Sequence, residues 1–237
     1  MADTVSPGGR RVRRRADPSR SPSAHDLSAF SREQRAVLRR LDTPFKIQAY
    51  LDSLPYSADD FNRSPLRVMV DQKANCFDGA LFAAFALWRL GHPPRIVDLF
   101  ADNDDDHLLA LFKVRGAWGA VAKSNYVGLR FRDPVYRSLR ELVMSYFEPF
   151  YNTLGEKTLR CYTRPISLRQ FDRLGWVTEQ AALGVVAEHT EQVTRIPVLT
   201  NAMVRGLTPV DGRSYKAGRL GVVEAGLFQA KRRRRKG

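Results

Sequence analysis

Asn75-Cys76-Phe77-Asp78-Gly79-Ala80-Leu81-Phe82-Ala83-Ala84-Phe85-Ala86-Leu87-Trp88-Arg89-Leu90-Gly91 is apolar on nearly every helical face, the pattern of a helix buried centrally rather than laid on a surface. Asn75 suits the N-cap, and Gly91 followed by Pro93 and Pro94 is a stop signal. The cap puts Cys76 in the first turn. Unpaired backbone N–H groups and the helix dipole favour a negative charge there, so the thiol is expected to ionise more easily than a free one. The competing reading is a small, inert, buried cysteine.

Upstream, residues 28–41 carry helical spacing, with Ser31-Arg32-Glu33-Gln34 as a cap and Val37, Leu38 and Leu41 facing inward. Thr43-Pro44 opens a second helix over 45–54, Pro55-Tyr56-Ser57 ends it, and a polar loop over 58–65 precedes a lead-in at 67–72. Beyond Gly91 the period changes: strands are expected at 95–100, 107–114 and 117–123. An acidic loop lies between the first two, and the tight turn Arg115-Gly116 joins the last two as an antiparallel hairpin. Residues 137–147 return to helical spacing. After 152 the pattern gives an edge strand at 159–165 and short helices at 168–174, 178–187, 188–195 and 198–207. The expected fold class is α+β: a small antiparallel sheet against the Cys76 helix, plus a mainly helical C-terminal addition. The chain divides into a basic arm (1–27), a core (28–152), an addition packed on it (153–230) and a basic tail (231–237).

The 237 residues are 43% apolar, with 13 Phe, 8 Tyr and 3 Trp, enough for a sizeable core. No apolar run approaches a membrane span, and the Arg/Ser/Pro-rich start lacks the apolar middle of a secretory signal. A soluble, cytoplasmic protein is expected. Cys76 and Cys161 are too few for a disulfide scaffold, and no CxxC suggests zinc. Of the net charge of +14, residues 1–20 supply +4 and the tail +6, leaving about +4 between. Both ends read as disordered. They suit weak, salt-dependent contact with nucleic acid or another polyanion, or serve only solubility. No aromatic residue interleaves with the Arg run, so a sequence-specific DNA-binding reading has only charge behind it.

His107 gives Cys76 a partner. A helix-borne thiol, a strand opening on His, and a further strand or loop carrying Asp or Asn form the layout of a Cys-His-Asp/Asn triad. It needs a thiolate to attack a carbonyl, an imidazole to hold and deliver its proton, and an oxygen acceptor to fix the tautomer. The ordered set Asn75-Cys76-Phe77-Asp78-Gly79-Ala80, Leu90-Gly91-His92-Pro93-Pro94-Arg95-Ile96-Val97, His107 and Arg115-Gly116-Ala117-Trp118 resembles the transglutaminase-like core of the papain-like superfamily, in a bacterial branch. The resemblance spans about residues 45–150. It departs from the family in reading His107-Leu108-Leu109 where His-Ala-Trp is usual, and in having Val121-Ala122-Lys123-Ser124-Asn125 where the Asp falls.

The resemblance implies Cys76 as nucleophile, His107 as general base then acid, and Asn125 or, as the acidic alternative, Asp133 as the group orienting the imidazole. Oxyanion stabilisation is expected from the Cys76 N–H plus the Gln72 amide, with Gln48 a distant second. The implied substrate is a peptide or other amide or ester, without cofactor, metal or membrane. His92 reads as a turn residue, His25 as part of the arm, His189 as exposed, and Cys161 as structural. Residues 102–106 alternate carboxylates like a calcium loop but lack the Gly and Glu of an EF-hand, and read as solvated. Their charge is expected to raise the His107 pKa and to favour cationic groups on a substrate. The alternative function is a catalytically silent binding module on the same fold. A working pair needs the Cys76 sulfur within about 4 Å of a His107 ring nitrogen, an oxygen on the other nitrogen, and a cleft reaching the sulfur.

Overall fold

The computed structural model describes residues 27–232. Residues 1–26 and 233–237 hold nearly all of the basic arm, with His25, and most of the basic tail; the disorder expected of them lies outside the described residues. Three short helices lead in: α1 (Arg32–Arg40), α2 (Pro44–Ser53) and α3 (Pro65–Asp71), each capped by a hydroxyl side chain, Ser31, Thr43 and Ser64. In α1 the Gln34 side chain returns a bond to the Ser31 N–H, closing a capping box. The central helix α4 (Cys76–Arg89) is buried continuously from Phe77 to Trp88.

The sheet is antiparallel. It holds β1 (Arg95–Ala101), β2 (His107–Val114), β3 (Ala117–Val121), β4 (Arg132–Tyr136), β5 (Leu159–Thr163), β6 (Ile166–Ser167) and β7 (Arg195–Pro197). Strand order is β4-β3-β2-β1-β5-β7, with β6 also pairing β1. Alternation along the central strands splits the core in two. Ile96, Leu108, Ala110, Phe112 and Val121 face α4, whereas Val97, Leu99, Leu109, Leu111 and Ala120 face Leu142, Val143 and Tyr146 around α5 (Leu139–Met144). Burial on both faces explains why β2 reads as a continuous apolar run rather than an alternating one.

The α+β class stands, with two departures. The sheet is larger than expected, because residues 159–197 supply β5, β6 and β7; the C-terminal addition is otherwise helical, with α6 (Ala181–Gln192) its longest element. Leu159–Thr163 lies between β1 and β7 rather than at an edge, because Leu159, Tyr162 and Thr163 are buried there. The edge strands are β4 and β7, and β4 is invisible in the sequence because Pro134 interrupts it; a proline is tolerated where no neighbour needs its N–H. The two helices expected at 178–195 are one, α6, and the described residues end in α7 (Asn201–Arg205), α8 (Gly212–Gly218) and a segment over 219–232 that holds a 3-10 turn at Glu224–Gly226. Among the described residues no helix is long and apolar enough to cross a membrane.

Candidate functional site at the head of α4

Cys76 is the first residue of α4. The Asn75 side chain accepts from the Asp78 N–H at 2.9 Å, and the Asp78 carboxylate accepts from the Asn75 N–H at 3.2 Å. Asp78 also accepts from the Arg63 N–H at 2.6 Å, and burial pushes its pKa up to about 6. The fully buried Arg63 guanidinium binds Asp71 at 2.9 Å, Ser57 Oγ at 3.0 Å and Asp78 at 3.5 Å, and also pairs with Asp59. This network fastens the 57–63 loop beneath the helix head. Residues 55–57 run beside 74–76: the Ser57 N–H donates to the Ala74 carbonyl at 3.0 Å, and Tyr56 is brought alongside Cys76.

The half-buried Cys76 thiol lies 3.8 Å from the Asp106 carbonyl oxygen, just before β2 begins. Burial pushes its pKa up to about 12, and the Asp105 and Asp98 carboxylates push the same way. The expected easy ionisation is therefore corrected: desolvation and negative neighbours outweigh the helix N-terminus. His107 opens β2, pairs with Leu99 across the sheet, and leaves the strand on the face away from α4, with its ring edge-on to Tyr146 and Phe150. Its Nε2–H donates to the Leu129 carbonyl at 2.7 Å. Burial lowers its pKa to about 4, opposite to the rise expected from the acidic loop. Both groups are thus neutral at rest. Since a carbonyl can only accept, the neutral ring carries its proton on Nε2 and leaves Nδ1 as the acceptor.

Cys76 and His107 border one cavity of ≈ 40 Å³ at the end of the sheet. Among the described residues no hydrogen bond joins the thiol to the imidazole; each holds a different backbone carbonyl. A wider cleft of ≈ 400 Å³ also reaches Cys76, lined by Asp59, Asn62, Asn75, Asp105 and Asp106.

The other expected site residues divide. Asn125 is in the wall of the small cavity, but its side chain bonds to Val223 and Gly226 of the C-terminal segment rather than to His107. Asp133 is exposed on the edge strand β4. Gln72 closes α3 in a left-handed conformation, φ 52°, and its amide donates to the Met69 carbonyl and the Tyr50 hydroxyl; it does not line either cavity. Gln48 is buried and doubly bonded to the backbone of Ala122, a tie between α2 and the end of β3. His92 is half-buried against Phe112, His189 packs on Phe171, and Cys161 sits on β5. The acidic loop is only partly solvated. Asp106 accepts from the Ala101 N–H at 2.7 Å, Asp104 accepts from Thr158 Oγ1 at 2.7 Å, and burial raises both carboxyls to about 6.

Three features were not legible as site components. Tyr56 reads as a helix stop, yet its hydroxyl faces the Cys76 backbone N–H, and burial drives its pKa up. The Leu129 oxygen is a backbone atom that no residue type announces. The 223–228 segment crosses the cavity although nearly a hundred residues separate it from Asn125.

No family model matches the chain, and no curated protein matches it. Solved structures of LapG from Legionella pneumophila overlap with it at 18% identity and a TM-score of 0.30, in an EGTA-treated form, a calcium-bound form and a third. The overlap covers 38% of this chain and 57–59% of LapG, so the chain spans less than two thirds of the structures it matches. A likeness of that size carries no weight for the chemistry.

Proposed function

We propose that the head of α4 is a cysteine hydrolase or acyl-transferase site on a transglutaminase-like core, acting on an amide or ester carbonyl of a peptide-type substrate. The observation that carries it is the shared cavity of Cys76 and His107, with the imidazole tethered through Nε2 so that Nδ1 is the ring's basic nitrogen. The Leu129 carbonyl does for the ring what Asn125 or Asp133 was expected to do. In the reaction, His107 Nδ1 takes the Cys76 proton as sulfur bonds to the carbonyl carbon. The oxyanion faces the Cys76 N–H beside Tyr56. The leaving amine or alcohol departs with the imidazole's proton, and water or an amine then breaks the thioester. The acidic cleft favours cationic groups on the substrate.

A second reading, a silent binding module with polyanion-binding tails, is favoured by the missing thiol–imidazole bond and by the neutral resting state of both groups. p-Nitrophenyl acetate separates the two, because the small acyl group fits beside the thiol. A stoichiometric nitrophenol burst with an acetyl mass on the Cys76 peptide is expected, lost in Cys76→Ser and strongly slowed in His107→Ala. A burst that is absent, or indifferent to His107, leaves the binding module.

A further inference from the structure

The C-terminal segment crosses the cavity as a short 3-10 turn, Glu224–Gly226, held through its backbone in the manner of a bound peptide. Asn125, itself buried, takes both backbone groups of one residue: its Nδ2 donates to the Val223 carbonyl at 2.9 Å and its Oδ1 accepts from the Val223 N–H at 2.9 Å. The same amide donates to the Gly226 carbonyl at 3.2 Å. Asn103 repeats the pattern further along, accepting from the Lys231 N–H at 2.9 Å and donating to its carbonyl at 3.0 Å. Bonds to backbone alone hold the turn whatever its side chains and leave selection to side-chain slots. Two slots exist. A Cβ on Gly226 would lie 2.8 Å from a Tyr56 ring carbon and 3.3 Å from Asn125 Nδ2, so only glycine fits, and Leu227 beside it is buried. Gly226, Leu227 and Phe228 line both the Cys76 cavity and the wider cleft.

We infer that the groove over Cys76 is a binding site for a polypeptide turn bearing glycine followed by a bulky apolar residue, and that residues 223–228 occupy it as an intramolecular ligand. The inference rests on the groove being the substrate site proposed above and names what that site selects. The segment lines both the small cavity and the acidic cleft, so an incoming chain must displace it.

The test uses the full chain and follows iodoacetamide labelling of Cys76 by mass spectrometry, with Cys161 as the internal reference. Gly226→Val drives a side chain into the Tyr56 ring and is expected to label at Cys76 about tenfold faster, as the covered fraction falls, with Cys161 unchanged. Adding the capped peptide Val-Glu-Ala-Gly-Leu-Phe restores protection, and Val-Glu-Ala-Val-Leu-Phe does not. If Cys161 also accelerates in Gly226→Val, Leu227→Ser takes its place. Unchanged Cys76 labelling in the variant that keeps Cys161 slow, or equal protection by both peptides, overturns the inference. The readout is access to a sulfur, not turnover. A strap that releases from a chain showing no nitrophenol burst sinks the hydrolase and leaves the peptide site standing.

Discussion

The His107 imidazole and the Leu129 carbonyl are joined by a 2.7 Å hydrogen bond inside a shell that includes the rings of Tyr146 and Phe150. The bond fixes the Nε2–H tautomer, and the dry shell disfavours the imidazolium, which lowers the pKa to about 4. Nitrogen-detected NMR is expected to show His107 as the Nε2–H form at neutral pH, taking a second proton only as pH falls toward 4. Asp133→Asn is expected to leave this unchanged, because Asp133 lies exposed on the edge strand. A His107 signal titrating near 6.5, or one that moves with Asp133→Asn, would place a carboxylate or bulk water on the ring and contradict the carbonyl tether.

Arg63 is the cation on which the helix head depends. It is wholly buried and shared among Asp59, Asp71 and Asp78. Removing one partner of a buried ion network strands the others, at a cost of about 3–5 kcal/mol. Arg63→Met is therefore expected to lose about that much in urea unfolding, whereas Asn75→Ala, which removes one cap bond, loses about 1 kcal/mol. An Arg63→Met loss below about 0.5 kcal/mol, the level of an ordinary surface change, would show that the 57–63 loop holds itself.

Gly79 sits inside α4, where glycine costs about 1 kcal/mol relative to alanine. A Cβ there would lie 2.3 Å from the Lys123 Cβ. Lys123 cannot yield easily, since its Nζ donates to the Leu51 carbonyl at 2.8 Å and also to Leu54, closing the end of α2. Overpacking costs about 1–3 kcal/mol, so Gly79→Ala is expected to destabilise despite its better helix propensity. A higher melting temperature for the alanine variant would mean the helix slides freely over β3.

What the sequence made legible was what repeats along a chain. The unbroken apolar face of α4, its Asn75 cap, the hairpin around Gly116 and the strands of β1 and β2 all carry a period or a turn residue of their own. β5 is too short and too irregularly buried to declare its place between β1 and β7, and Pro134 hides β4. At the site, Cys76, His107 and Asn125 line one cavity, but residue type does not announce which atoms each one holds. The imidazole's acceptor is a main-chain oxygen, and Asn125 is claimed by a segment from the far end of the chain. Ionisation was misjudged for one reason: charge neighbours can be read from a sequence, while depth of burial is a property of the packed molecule.

Burial also governs Asp98, in the middle of β1. It is 1% exposed, and its Oδ1 has no hydrogen-bond partner among the described residues. Burial, reinforced by Asp106 and Glu191, pushes its pKa from 3.8 up to about 8. Between those two values the folded chain holds a proton the unfolded chain has released, so stability falls as pH rises through the window and levels off above 8. His107 runs the other way: its depressed pKa makes stability fall as pH drops from 6.5 toward 4. The two are separated by comparing wild type with Asp98→Asn at each pH, since the His107 contribution is common to both. The stability of wild type relative to the variant is expected to decline between pH 5 and pH 8, by up to about 1.4 kcal/mol per pH unit. Above pH 8, where Asp98 is ionised, labelling of Cys76 should also quicken in the variant, because one of the carboxylates opposing its thiolate is gone. A difference that stays constant across that range would mean Asp98 is already ionised in the fold and finds a cation or water there.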